Sequence, residues 1–316
     1  MKKKNNKSAN PKSEYICRVN RVIDYINNNI SEEFTLEKLA EAANFSKFHF
    51  HRIFKAITGE ALYSFIKRVR LEIAANNLIY KNDSITDIAF NCGFSSSSVF
   101  AYAFREHFGC TATEYRANHL NGKKSKNSKL KSNESKDKPA NLLYDERKYA
   151  KMTESEKLKI MLNISVKKIE QMNVVYIRHF GNYTETKKIW NKLIIWANAR
   201  NLINRETKYI GLYYDNPNIT DENKLRYDAC ITVKEKIETT GEIGYSKIEG
   251  GRYAVAHCEG YAQDIFETYK ILFSDWLPSS GWQPADKHYF EIYCNNPDEH
   301  PDKKIIMNIY IPVKPL

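Results

Sequence analysis

The segment HYFEIYC, residues 288 to 294, is an apolar, aromatic run with a carboxylate at its centre. On a β-strand alternate side chains share a face, so Tyr289, Glu291 and Tyr293 point one way while Phe290 and Ile292 point the other. An acid framed by two phenols suits a flat, positively charged guest. The carboxylate supplies the counter-charge, and each ring face attracts a cation by about 0.5 to 2 kcal/mol. The competing reading is an exposed or salt-bridged glutamate on an edge strand, the usual state of acidic residues. An enclosed and unpaired carboxylate is costly enough that it takes up a proton or finds a cation. The surroundings agree with a guest site, because all four tryptophans (Trp190, Trp196, Trp276, Trp282) and 13 of the 21 tyrosines lie after residue 157. Tyr289, Tyr293 and Tyr183 are the candidate walls. Trp190 and Trp196 share a helical stripe with Leu193 and read as core.

Other chemistry is sparse. His49 and His51 stand two residues apart on a helical pattern, where they do not share a face, so they do not form a metal site. The six cysteines (Cys17, Cys92, Cys110, Cys230, Cys258, Cys294) are widely spaced with no CxxC pair, as expected of reduced, mostly buried thiols. No second acid accompanies Glu291, and no Ser/His/Asp order or metal-ligand cluster emerges. The sequence therefore calls for no cofactor and no metal, and reads as a non-enzyme.

The elements that must position these residues fall into two domains, as 316 residues suggest. No run approaches the roughly 18 apolar residues of a membrane span, and the amino terminus has lysines without the apolar segment of a signal peptide. The expected location is cytoplasmic, without membrane association. The formal charge of +11 is unevenly spread. Residues 1 to 13 hold five lysines and no acid, and residues 121 to 157 hold eleven basic and six acidic side chains, whereas residues 14 to 120 balance at twelve of each. The excess thus sits in low-complexity stretches that read as disordered. The expected organisation is a basic tail over 1–13, a first domain over 14–120, a Lys-rich linker over 121–157 and a second domain over 158–316.

Each domain contains a duplication. LEKLAEAANFSKFHFHRIFKAITG (36 to 59) is echoed by ITDIAFNCGFSSSSVFAYAFREHFG (85 to 109) at an offset of 49, which becomes 50 after one inserted residue. Each copy reads as helix, tight turn and second helix, with Asn44 or Gly93 in the turn and Ser46 or Ser95 as amino-terminal cap. Between them, residues 61 to 81 form one long helix of roughly 30 Å. That length is close to the roughly 34 Å between successive major-groove faces of B-DNA, so a monomer could place two reading helices in adjacent grooves.

These motifs, together with the closing TATEYR, resemble the AraC/XylS family of transcription regulators over about residues 15 to 118. The resemblance implies double-stranded promoter DNA as partner, with bases read by the exposed face of each second helix: Lys47, Phe48, His51 and Arg52 in the first, Ser97, Ser98 and Tyr102 in the second. Ile53, Phe54, Phe100 and Phe104 take the inward role. Arg52 can pair bidentately with guanine. Tyr102 stands where the first copy has Arg52, and the second helix is expected to act mainly on phosphates and shape. The resemblance further implies an activator that contacts RNA polymerase.

In the second domain YIGLYYDNPN (209 to 218) aligns with YFEIYCNNPD (289 to 298) at an offset of 80, which lays Glu291 on Gly211. Each module reads as strand, helix and two antiparallel strands. This arrangement, with IEGGRYAVAHCEG, FGNY and FEIY, resembles the GyrI-like effector-binding domain over about residues 160 to 316, a pairing of domains like that of Rob-type regulators. The expected fold is thus multidomain, an all-α region with two helix-turn-helix motifs followed by an α+β domain of two pseudo-symmetric modules. The resemblance implies a small-molecule effector, a lipophilic cation held by a buried glutamate. The alternatives are a GyrI-like hydrolase of reactive toxic compounds and a protein-interaction module with a vestigial pocket.

Overall fold

The computed structural model describes residues 11–120, 153, 160, 163–239, 241–285 and 287–316, and the chain divides into two compact units. Helix α1 (Pro11–Asn28) opens the first, so residues 11–13 of the expected tail are helical. A proline is compatible with a first helical position, and Glu14 in the first turn complements the helix dipole. The rest of the tail, and the linker apart from Thr153, lie outside the described residues.

Two helix-turn-helix units follow: α2 (Leu36–Ala42) with α3 (Lys47–Thr58), and α5 (Ile85–Asn91) with α6 (Ser97–Phe108). They flank the long helix α4 (Leu62–Tyr80), whose 19 residues rise about 28 Å, and α7 (Ala112–Leu120) closes the unit. Thr35 and Ser84 cap α2 and α5 by accepting from the backbone N–H groups of Lys38 and Asp87. Asn44 and Gly93 take the left-handed geometry of the turns, at φ 53 and 81. The cap of α6 is Ser96 rather than Ser95: its hydroxyl accepts from Val99 N at 3.2 Å. The inserted residue thus lies before the cap and not after it. Ser46 stands at the same point of α3 but makes no side-chain cap bond, its Oγ lying 3.1 Å from His49 Nδ1.

Phenylalanine ladders fasten the second helix of each unit inward. Phe50, Phe54 and Phe65 meet edge to face at 5.7 and 5.4 Å, and in the second copy Phe104 meets Phe100 at 5.3 Å and Tyr115 at 5.4 Å. Arg70 on α4 donates to the Ile30 carbonyl at 3.1 Å, and a Cβ on Gly93 would lie 2.6 Å from that same oxygen. Only glycine fits this contact between the second turn and the segment after α1.

The second unit is built on an antiparallel sheet: β1 (Ile164–Ile169), β2 (Met172–Phe180), β3 (Tyr209–Tyr213), β4 (Arg226–Val233), β5 (Ile243–Ile248), β6 (Gly251–Gly260), β8 (Phe290–Tyr293) and β9 (Ile305–Pro315), in the order β1-β6-β9-β8-β3-β4-β2-β5. A short β7 (Trp282–Pro284) pairs with β9. Helix α8 (Lys187–Asn198) follows β2, and α9 (Ala262–Lys270) follows β6, continuing as a π-helical stretch over Ile271–Trp276. Each module therefore carries a leading strand that the sequence does not predict, and the second carries the short β7 as well. That leading strand is exchanged, with β1 pairing with β6 and β5 lying beside β2. The strand order is unchanged when the modules are interchanged, so a pseudo-twofold axis runs between β3 and β8. No helix among the described residues is long and apolar enough to cross a membrane. All six cysteines are free, four of them buried.

Candidate effector site and nucleic-acid interface

Strands β3 and β8 pair so that Tyr209 faces Tyr293, Ile210 faces Ile292, Gly211 faces Glu291 and Leu212 faces Phe290. Residues equivalent in the repeat, Gly211 and Glu291, are thus direct cross-strand partners on the pseudo-twofold axis. Glu291 is 3% exposed. Three phenols converge on it: Tyr213 and Tyr293 each donate to Oε2 at 2.8 Å, and Tyr269 of α9 donates to Oε1 at 2.9 Å. Among the described residues no lysine, arginine or histidine forms an ion pair with it. Burial pushes the carboxyl above the usual carboxylate range, and the hydroxyls of Tyr293, Tyr213 and Tyr269 pull it part of the way back. Desolvation, followed by the nearby acid, raises Tyr213, Tyr269 and Tyr293 well above the ordinary phenol value, so they remain donors at neutral pH.

A second layer of rings surrounds the acid. Tyr289 stacks on Tyr213 with centroids 5.7 Å apart and planes 8° from parallel, and meets Tyr269 edge-on at 5.7 Å. Tyr183, in the turn Tyr183–Glu185 after β2, stands edge-on to Tyr213 at 5.0 Å. Trp190 of α8 donates to the Tyr227 hydroxyl at 3.0 Å and stands edge-on to Tyr293 at 5.7 Å. All four residues proposed from sequence, Glu291, Tyr289, Tyr293 and Tyr183, therefore belong to one cluster. Sequence reasoning missed Tyr213, Tyr227 and Tyr269 and left Trp190 in the packing stripe. Tyr213 was recoverable, since the offset of 80 places it on Tyr293. Tyr269 carried no such signal.

Gly211 has a defined role in this cluster. A Cβ there would lie 2.7 Å from the Tyr293 hydroxyl and 2.8 Å from that of Tyr227. The missing side chain makes the space in which those hydroxyls approach the axis.

In the helical unit, Lys47, His51 and Arg52 of α3 and Ser97, Ser98 and Tyr102 of α6 are all exposed. The Phe48 side chain lies outside the described ones. The inward residues are as expected, with Phe54, Phe100 and Phe104 buried and Ile53 half-buried. Lys47 lies 3.5 Å from Glu37 of α2, a surface pair that contributes little.

The comparisons with known proteins divide at the same place as the fold. Residues 162–314 match the family described as GyrI-like small molecule binding domain, and residues 39–118 match a helix-turn-helix domain of AraC type. The chain is similar to the DNA gyrase inhibitor of Escherichia coli (strain K12), 30% identical over 158 residues, which are 49% of this chain and 98% of that protein. It is also similar to the probable transcription factor PqrA of Proteus vulgaris, 34% identical over 102 residues, 32% of this chain and 84% of that one. A third likeness, 37% over 106 residues, is to the bifunctional transcriptional activator/DNA repair enzyme AdaA of Bacillus subtilis (strain 168), covering 34% of this chain and 49% of AdaA.

Proposed function

Given that the chain belongs to the GyrI-like family through residues 162–314 and carries an AraC-type helix-turn-helix region over residues 39–118, we propose that it is a one-component transcription regulator. In this reading α3 and α6 bind promoter DNA, and the sheet unit binds a lipophilic, aromatic cation at Glu291. One observation carries the effector half: a carboxylate 3% exposed, held by three phenol hydroxyls, with no cationic side chain paired to it among the described residues. A cationic guest satisfies this acid where desolvation alone penalises it. Tyr289, Tyr293 and Tyr183, with Tyr213, Tyr269 and Trp190, offer ring faces and edges to the guest.

For the effector to act, it must bind the DNA-competent state better than the resting one. DNA then strengthens effector binding by the same factor. RNA polymerase enters as partner, and activation as outcome, through the likeness to activators. Hydrolysis is the weaker reading, because Glu291 has phenols rather than a second acid or a base beside it.

The test is calorimetric titration of the full chain with tetraphenylphosphonium and with the neutral, similarly shaped triphenylphosphine oxide, each repeated on Glu291→Gln. The expectation is a preference for the cation that drops at least tenfold in the variant, since removing one partner of a buried charge pair costs about 2 to 5 kcal/mol. Equal binding of cation and neutral compound, or of wild type and variant, overturns the counter-ion role.

A further inference from the structure

The two reading helices can be laid over each other at an offset of 50, since α3 starts at Lys47 and α6 at Ser97, and both end one residue before a left-handed glycine, Gly59 or Gly109. Under that superposition His49, His51 and Arg52 of α3 fall on Val99, Ala101 and Tyr102 of α6. Each of these exposed hydrogen-bonding residues in the middle of the first helix is apolar or aromatic in the second. The outermost cation is retained, Lys55 falling on Arg105, and all of these side chains are exposed. Val99 and Tyr102 are among the most exposed large apolar side chains of the helical unit, at 52% and 74%. One turn apart, they share one side of α6, and Phe100, Ala103 and Phe104 fill the opposite side against the core.

Apolar side chains left in water on a reading face call for an apolar feature of the duplex. In the major groove that feature is the 5-methyl of thymine, which side chains as small as alanine contact. We propose that α6 reads thymine methyls through Val99 and Tyr102, with Ala101 permitting close approach and Arg105 on a phosphate, while α3 reads hydrogen-bonding base edges. The site is then chemically two-part, one segment read by donors and the next, about one helical turn away, read by methyl contacts. This inference rests on the regulator reading and assigns a specificity to the helix that otherwise looks blank.

The experiment selects preferred sites from random duplex DNA with the full chain, then replaces thymidine by deoxyuridine in each segment. The replacement removes the methyl and keeps every hydrogen-bonding group. The expected result is a loss of about fourfold per contacted methyl in the α6 segment, the factor that burial of one CH2 group corresponds to, and little loss in the α3 segment. Tyr102→Ala and Val99→Ala should each lose the fourfold at the methyl which that side chain reaches, the double variant should bind thymine and uracil sites alike, and Tyr102→Phe should keep the discrimination. Because both side chains are solvent-exposed, the variants retain their fold, which circular dichroism checks. Affinity that is indifferent to uracil across the α6 segment, or alanine variants that weaken thymine and uracil sites equally, overturns the inference and leaves α6 a phosphate clamp. A selection that returns no preferred sequence sinks the regulator reading itself, which separates the two failures.

Discussion

Strands β3 and β8 are counterparts in a duplicated sheet, yet at their meeting point one carries a carboxylate and the other carries no side chain. The difference follows from where they meet. Gly211 and Glu291 face each other across the pseudo-twofold axis, so a faithful copy would set two like charges directly opposite each other, which is destabilising in any antiparallel pair and more so when buried. A site on a symmetry axis therefore forces division of labour, with one copy giving charge and the other giving room. The helical duplication is under no such constraint, because α3 and α6 do not share an axis residue. There both copies keep an exposed outer face, and only the chemistry of that face differs.

The sharpest way to break the sheet comparison is to fill the empty half. Gly211→Ala puts a methyl 2.7 to 2.8 Å from the Tyr293 and Tyr227 hydroxyls, which hold Glu291 and Trp190 respectively. The overpacking cost should lie in the upper part of the about 1 to 3 kcal/mol range, read as a lowered urea midpoint, with cation binding lost alongside. A variant as stable as wild type that still binds the cation would mean that the cluster is loose and Gly211 incidental. Next in size is the contrast between the reading helices. Arg52→Ala should cost about 1 to 3 kcal/mol on the selected site and relax preference at one base pair, whereas Tyr102→Ala should cost less than 1 kcal/mol per methyl contact. Binding isotherms on selected and scrambled duplexes measure both. Equal weakening of Arg52→Ala on both duplexes would reduce Arg52 to a phosphate contact.

Much of this was legible in the sequence because repetition and periodicity are local. Alternation alone put Tyr289 and Tyr293 beside Glu291, and the offset of 80 tied Glu291 to Gly211. What repetition could not reveal was that equivalent residues become neighbours, since that depends on β3 and β8 pairing antiparallel at the centre of the sheet. The leading strands β1 and β5 escaped for a related reason. β1, ISVKKI, is half-exposed with weak alternation, and its partner β6 lies in the other module. Tyr269 sits on a helix whose stripe predicts burial without saying what the buried hydroxyl meets. In the first unit, turn chemistry and the phenylalanine spacing fixed both motifs to within a residue. The error at Ser95 arose because four successive serines offer a cap at more than one position.

The pH dependence of stability is the most diagnostic of how Glu291 is held. Its pKa is raised in the folded protein because desolvation outweighs the three phenol bonds. A raised carboxylate pKa means that the folded state binds the proton more tightly than the unfolded chain does. The contribution to stability is then fully present below the unfolded value, near the ordinary glutamate pKa, and is lost as pH rises through the folded pKa. Glu291→Gln removes that dependence while keeping the shape and an acceptor for the phenols. Without effector, the variant should be more stable than wild type by about 1 kcal/mol above the folded pKa, in line with functional sites that sacrifice stability. The gap should close on acidification toward the unfolded value, as thermal denaturation at a series of pH values would record. A saturating cation should reverse the order above the folded pKa, stabilising the wild type alone by linkage. A variant that is less stable than wild type above the folded pKa, with a gap that narrows on acidification, would show that the phenol bonds to the ionised acid outweigh its desolvation. The acid would then be a structural anchor of the β3–β8 seam, and Gly211 the space that anchor requires.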